Sequence, residues 1–109
     1  MPSSIEKLTA ADFDERVGQS AVPALVDFSA SWCTPCRAMA PTIEKLAREY
    51  TGRAVVGTVD VDAERELAVR FGAINLPTFV LMRAGQAVRT FAGVRAEHVL
   101  REALDELLL

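Results

Sequence analysis

The sequence predicts an α/β domain built on a mixed β-sheet, and three observations predict it. Two β-rich runs, residues 24–30 (ALVDFSA) and 54–61 (AVVGTVDV), enclose a segment whose apolar residues recur at helical spacing. That is the pattern of a strand, helix, strand unit with parallel strands and a right-handed crossover. Two further runs, TFVLM and AVRTF, are separated only by RAGQ, which reads as an antiparallel hairpin turning near Gly85. Beyond Gly93 a stripe of Val99, Leu100, Ala103, Leu104 and Leu107 marks a closing helix,. At 109 residues, half of them hydrophobic, the chain is expected to form a single domain, 1–109, with a core that needs no covalent help.

The elements follow in order. Thr9 and Asp12 form a capping-box variant, with Leu8 and Phe13 placed as a hydrophobic staple, so a short helix is expected there,. The 24–30 run is continuous apolar sequence broken by one charge, Asp27, as in a strand covered on both faces,. From Thr34 the apolar positions Met39, Ala40, Ile43, Leu46, Ala47 and Tyr50 define the main helix, with Pro41 expected to kink it,. The β-branched run 54–61 supplies the next strand,. Asp62 is placed to cap a short helix with Leu67, Ala68 and Phe71 facing inward and Gly72 ending it,. The closing helix has no Ser, Thr, Asp or Asn available as its N-cap,.

Charge and composition narrow the function classes. A net charge of −3 gives no basic footprint for nucleic acid,. The first residues lack the basic start and apolar stretch of an export signal, and no apolar run approaches a membrane span,. A cytoplasmic, soluble protein is the expectation. In that compartment a cysteine pair is more often catalytic or metal-bound than structural.

Cys33 and Cys36 are the only two cysteines, and three readings compete. A disulfide between them would close a loop too short to constrain the unfolded chain much. As a zinc site the pair supplies half of a ligand set, with His98 and scattered carboxylates as the remaining candidates,. As a redox centre the spacing fits, with one thiol at a helix N-terminus, where unpaired amides favour thiolate, and its partner one turn on. The redox reading leads, and the passive disulfide and the metal half-site stand behind it.

Three blocks in order then resemble the thioredoxin family: VDFSASWCTPCR its active-site stretch, INLPT its cis-proline loop, and FAG the glycine ahead of its last helix. The resemblance covers the chain from the first helix to the end. It implies the thioredoxin fold, a central mixed sheet of four to five strands flanked by about four helices, and protein-disulfide reductase activity without metal or bound organic cofactor. It implies that Cys33, at the surface, attacks the client disulfide, and that a shielded Cys36 resolves the mixed disulfide. Burial disfavours the Cys36 thiolate, so a base must help, and Asp27 in its strand fits that role, its pKa raised by desolvation. The alternative for Asp27 is a side chain reaching solvent at the strand end.

By the same resemblance Trp32, Thr34, Pro35, Leu76, Pro77, Gly93 and Val94 form the client-binding surface, with Pro77 in a cis peptide bond and the Leu76 backbone pairing with an extended client segment. Arg37 projects charge beside the site. A flavin-containing, NADPH-dependent thioredoxin reductase is implied as electron donor, disulfide-containing proteins as clients, and a monomer as the working form. The chain departs from the family pattern at Thr34, where glycine is commonest, at Thr58, where a lysine often accompanies the buried Asp, and at Ser29, where tryptophan is usual. Two alternatives remain at this stage: a redox-silent binding module, and an oxidase or isomerase that runs the same chemistry in the other direction.

Overall fold

A computed structural model describes residues 4–109. Five strands, β1 (Glu6–Lys7), β2 (Ala24–Ser29), β3 (Val55–Asp60), β4 (Thr78–Arg83) and β5 (Gln86–Ala92), form one sheet in the order β1-β3-β2-β4-β5. β2 is central, parallel to β3 and antiparallel to β4, so the sheet is mixed, as the sequence predicts. The helices are α1 (Thr34–Glu49), α2 (Arg65–Arg70) and α3 (Glu97–Leu107), together with a π-type turn at Asp14–Gly18.

Both faces of the sheet are covered, which is why β2 reads as apolar sequence broken by one charge, Asp27,. Leu25, Val56, Phe79 and Leu81 form one core with Ile43 and Leu46 of α1 and Leu100 and Leu104 of α3. Val26, Phe28, Val59 and Val80 form the other with Phe13, Val17 and Leu67. Successive side chains of a strand alternate between faces, so Asp27 and Ser29 share the side of Leu25 and point toward α1.

Several local expectations change. The first helix is reduced to the π-type turn, in which the Gln19 amide donates to the Asp14 carbonyl at 2.9 Å. Asp12 accepts both the Thr9 amide, at 2.8 Å, and the Thr9 hydroxyl, at 3.0 Å, so only the carboxylate half of the capping box forms,. Asp62 does not cap α2. Glu64 occupies that position without a side-chain cap, and Asp60 accepts the amides of Asp62 and Ala63 instead. α1 continues through Pro41, which leaves the Arg37 carbonyl without the amide partner a non-proline residue would give it. Ala40, read as part of the apolar face, is exposed. β1 was not foreseen; it pairs parallel to β3 through Glu6 and Lys7 alone.

The β4–β5 hairpin turns on Ala84 (φ 53°) and Gly85 (φ 78°), the pair of left-handed residues that a two-residue turn requires,. Its register slips so that Leu81 faces Arg89 and Met82 faces Ala87, leaving Val88 as a bulge,. A Cβ on Gly85 would fall 2.8 Å from Gly18 Cα. Gly85→Ala is therefore expected to destabilise the protein by about 1–3 kcal/mol, from the left-handed backbone and the backbone clash together. Urea denaturation measures it, and unchanged stability would count against this packing of hairpin tip on π-turn.

Candidate active site

β2 ends at Ser29, and the chain turns once, with the Cys33 amide donating to the Ala30 carbonyl at 3.1 Å, before α1 begins. Cys33 is the N-cap of α1, with extended backbone (φ −84°, ψ 109°). Its sulfur accepts the Cys36 amide at 3.3 Å, as a capping side chain does,. Pro35 sits in the first helical turn, where the amide it lacks would have no intrahelical partner,. The helix N-terminus thus points its unpaired amides and positive dipole end at the Cys33 sulfur, an environment that favours negative charge there.

Cys33 and Cys36 form a disulfide, their Cα atoms 5.3 Å apart. Each is 5% exposed, which corrects the expectation of a surface Cys33 in front of a shielded Cys36. The bond draws both sulfurs into one small apolar cluster with Ala30, against which Leu76 and Val61 pack. In this oxidised form the two differ in hydrogen bonding rather than in cover.

Asp27 is 6% exposed, and its Oδ1 has no protein partner among the described residues. The reading in which this side chain reaches solvent at a strand end is thereby overturned. Burial pushes its carboxyl up from 3.8 to about 7, because removal from water penalises the charged form. Among the described residues, no cation offsets that cost. Thr58 lies opposite in the β2–β3 register, but its hydroxyl donates to the Asp27 main-chain carbonyl at 3.2 Å and lies 3.3 Å from Ser29 Oγ.

Two small hydroxyl side chains thus stand where the family commonly has lysine and tryptophan. A cleft of about 480 Å³ opens there, lined by Asp27, Ser29 and Thr58 from the sheet and by Cys36, Ala40 and Ile43 from α1. The departures at Ser29 and Thr58 were legible in the sequence. The cleft was not, since it depends on how the strand edge meets α1.

The expected client-binding residues lie elsewhere on the surface. Leu76–Pro77 is a cis peptide bond. Pro77 is buried and Leu76 half-buried against the cysteine cluster. The Gly93 amide donates to the Pro77 carbonyl at 2.7 Å, tying the two loops together, and Gly93 adopts φ 92°, a conformation glycine tolerates,. Trp32 and Val94 are 65% and 53% exposed, and Thr34 and Pro35 are exposed as well. Arg37 is also exposed, but its guanidinium folds back on the Ser31 carbonyl and Thr34 hydroxyl.

Sequence reasoning missed two residues here. Ile74, just ahead of the cis-proline loop, is 87% exposed, and its neighbours Ala73 and Leu76 gave no contrast to mark it in the sequence. Asp62 accepts the Trp32 indole N–H at 2.7 Å, a pairing across sequence that no local pattern encodes. Asp62→Ala is expected to free the indole, lowering the fluorescence anisotropy of the single tryptophan. Unaltered anisotropy would show that Asp62 does not hold the ring.

Among the described residues, no helix is long and apolar enough to cross a membrane. The thioredoxin family model matches residues 4–106. Thioredoxins of Staphylococcus aureus strains MW2 and N315 are each 40% identical to this chain over 105 residues, covering 96% of it and 99% of their own length. An N-capping cysteine disulfide-bonded to a partner one turn on, a cis-proline loop against the pair, and a mixed five-stranded sheet agree with that match. The chain belongs to the thioredoxin family, and its chemistry is thiol–disulfide oxidoreduction.

Proposed function

We propose that this protein is a cytoplasmic, monomeric disulfide reductase in which Cys33 is the attacking thiol, Cys36 the resolving thiol and Asp27 the proton acceptor. The Cys33 thiolate displaces one sulfur of a client disulfide, forming a mixed disulfide and releasing the first client thiolate. Asp27, as carboxylate, takes the proton of Cys36. The Cys36 thiolate then attacks Cys33 sulfur, closing the intramolecular disulfide and releasing the second client sulfur as a thiolate, to which the proton held by Asp27 passes through solvent. Two electrons pass from the dithiol to the client. The pair is returned to its reduced form by a flavin-containing thioredoxin reductase drawing on NADPH.

The single observation that carries this reading is Cys33 as N-cap of α1, its sulfur accepting the Cys36 amide. Asp27 supports the second step, because a carboxyl titrating near 7 exchanges protons efficiently at neutral pH,. Trp32, Thr34, Pro35, Leu76, Pro77, Gly93 and Val94 provide the client surface. The test is insulin-disulfide reduction, with dithiothreitol in one arm and NADPH plus thioredoxin reductase in the other. Catalytic turnover in both supports the assignment, and no turnover in either overturns it. The direction is checked separately by equilibrating the Cys33–Cys36 pair with glutathione. A pair more oxidising than glutathione would make the protein an oxidase or isomerase.

A further inference from the structure

The cleft beside α1 has a volume and apolar walls that the exchange reaction does not use. Its volume, about 480 Å³, lies in the range of small-molecule sites. Ile43, Ile5 and Ala40 give it apolar walls, and Asp27 lines it, its Oδ1 buried and without a protein partner among the described residues. None of Trp32, Cys33, Leu76, Pro77, Gly93 or Val94 lines it, so an occupant would not compete with a client for its surface.

We propose that this cleft binds a small organic cation, an ammonium or amidinium group on an apolar ring system, with the charged head donating to the Asp27 carboxylate and the ring against Ile43 and Ile5. Beyond Asp27, the charged residues lining the cleft are two cations and two anions, so their charges offset one another. Lys7 of β1 and Arg37 of α1 line it along with Asp60 at the end of β3 and Glu64 ahead of α2. Arg37 is engaged by the Ser31 carbonyl and Thr34 hydroxyl, Glu64 holds the Ala10 amide, and Asp60 holds the amides of Asp62 and Ala63. Asp27 is left as the carboxylate with a buried, unused acceptor. An anion placed there would meet like charge in a poorly solvated site, and a neutral donor would forgo the charge-assisted bond.

The consequence for the reaction rests on the role proposed for Asp27. A cation seated on the carboxylate holds it charged but occupied, so it cannot take the Cys36 proton. Attack by Cys33 is untouched and resolution is slowed. The cleft is then an inhibitory site separate from the client surface.

The test is an NMR titration of the oxidised full chain with 1-naphthylmethylammonium and, as neutral and anionic controls, 1-naphthylmethanol and 1-naphthoate. At pH 8 the cation is expected to bind most tightly, moving the amide signals of Asp27, Ser29, Cys36, Ala40 and Thr58. Its affinity should fall about tenfold at pH 6, because a carboxyl titrating near 7 passes from about nine-tenths to about one-tenth ionised,. Asp27→Asn should remove both the preference for the cation over the alcohol and its pH dependence, and Ala40→Phe, on an exposed wall position, should exclude both. Binding of the cation no tighter than the alcohol, equal affinity at both pH values, shifts confined to Trp32 and Val94, or no binding at all overturns the inference. Insulin turnover measured in parallel separates the two readings. Turnover without cation binding removes only the cleft site, and cation binding without turnover removes only the reductase assignment.

Discussion

Replacing Asp27 by alanine is expected to stabilise the oxidised protein by up to roughly 4 kcal/mol at pH 8 and to change little at pH 4. The magnitude follows from a carboxyl raised from 3.8 to about 7 by burial, at about 1.4 kcal/mol for each tenfold change in the proton equilibrium. The sign follows from linkage. Below 3.8 both folded and unfolded chains hold the proton, and the side chain imposes no pH-dependent cost,. Between 3.8 and about 7 the folded protein keeps a proton that the unfolded chain has released, so unfolding becomes easier with each upward step in pH,. Above about 7 the full cost of a buried, unpaired charge is present, and alanine removes it,. Because Asp27 borders the cleft, truncation enlarges an existing opening rather than creating a sealed void, which limits the packing loss that would offset the gain. Urea denaturation at the two pH values reads the difference directly. A variant no more stable than the parent at pH 8 would contradict the burial of the carboxylate. The same substitution should slow client turnover near neutral pH if Asp27 takes the Cys36 proton as proposed.

The cysteines carry the other large effects. Cys33→Ser is expected to lower insulin reduction by more than about a thousandfold, as loss of a covalent nucleophile does. Cys36→Ser should leave the first attack intact and block the second, so that mixed disulfides with client proteins accumulate. Non-reducing gels of an extract treated with the reduced Cys36→Ser protein should show adducts that dithiothreitol dissolves. The Cys33→Ser protein should show none. Adducts on Cys33→Ser instead would reverse the order of attack, and in that event the amide bond to Cys33 sulfur could not be what selects the nucleophile.

What the sequence disclosed and what it withheld divide along physical lines. β2, α1, β3, the hairpin and α3 were legible because each buries a stripe or a face, and burial at a fixed period leaves a mark in the order of residues. β1 left none, since Glu6 and Lys7 join the sheet through backbone pairing alone. Asp62 read as a helix cap because Asp is common there, yet its carboxylate turns to an indole from a different loop. The cysteine spacing pointed to the helix terminus. It could not tell how closely the oxidised pair is covered, because that cover comes from Leu76 and Val61, remote in the chain. Asp27 stood out as a lone charge in an apolar strand, and its missing cationic partner was anticipated from Thr58. The cleft between them required the assembled sheet edge.

The bulge at Val88 has a bearing on how copies of this protein behave in a crowded solution. β5 is the outermost strand beyond β4 and, among the described residues, has no strand on its other side, and such a border can recruit a strand from another molecule and seed aggregates. The extra residue bends the border out of the flat geometry that zippering needs. Arg89, its guanidinium 4.7 Å from the Phe91 ring centroid, adds charge that a neighbouring strand would have to desolvate. A seven-residue border that would otherwise be adhesive is in this way made a poorer template for a neighbouring strand.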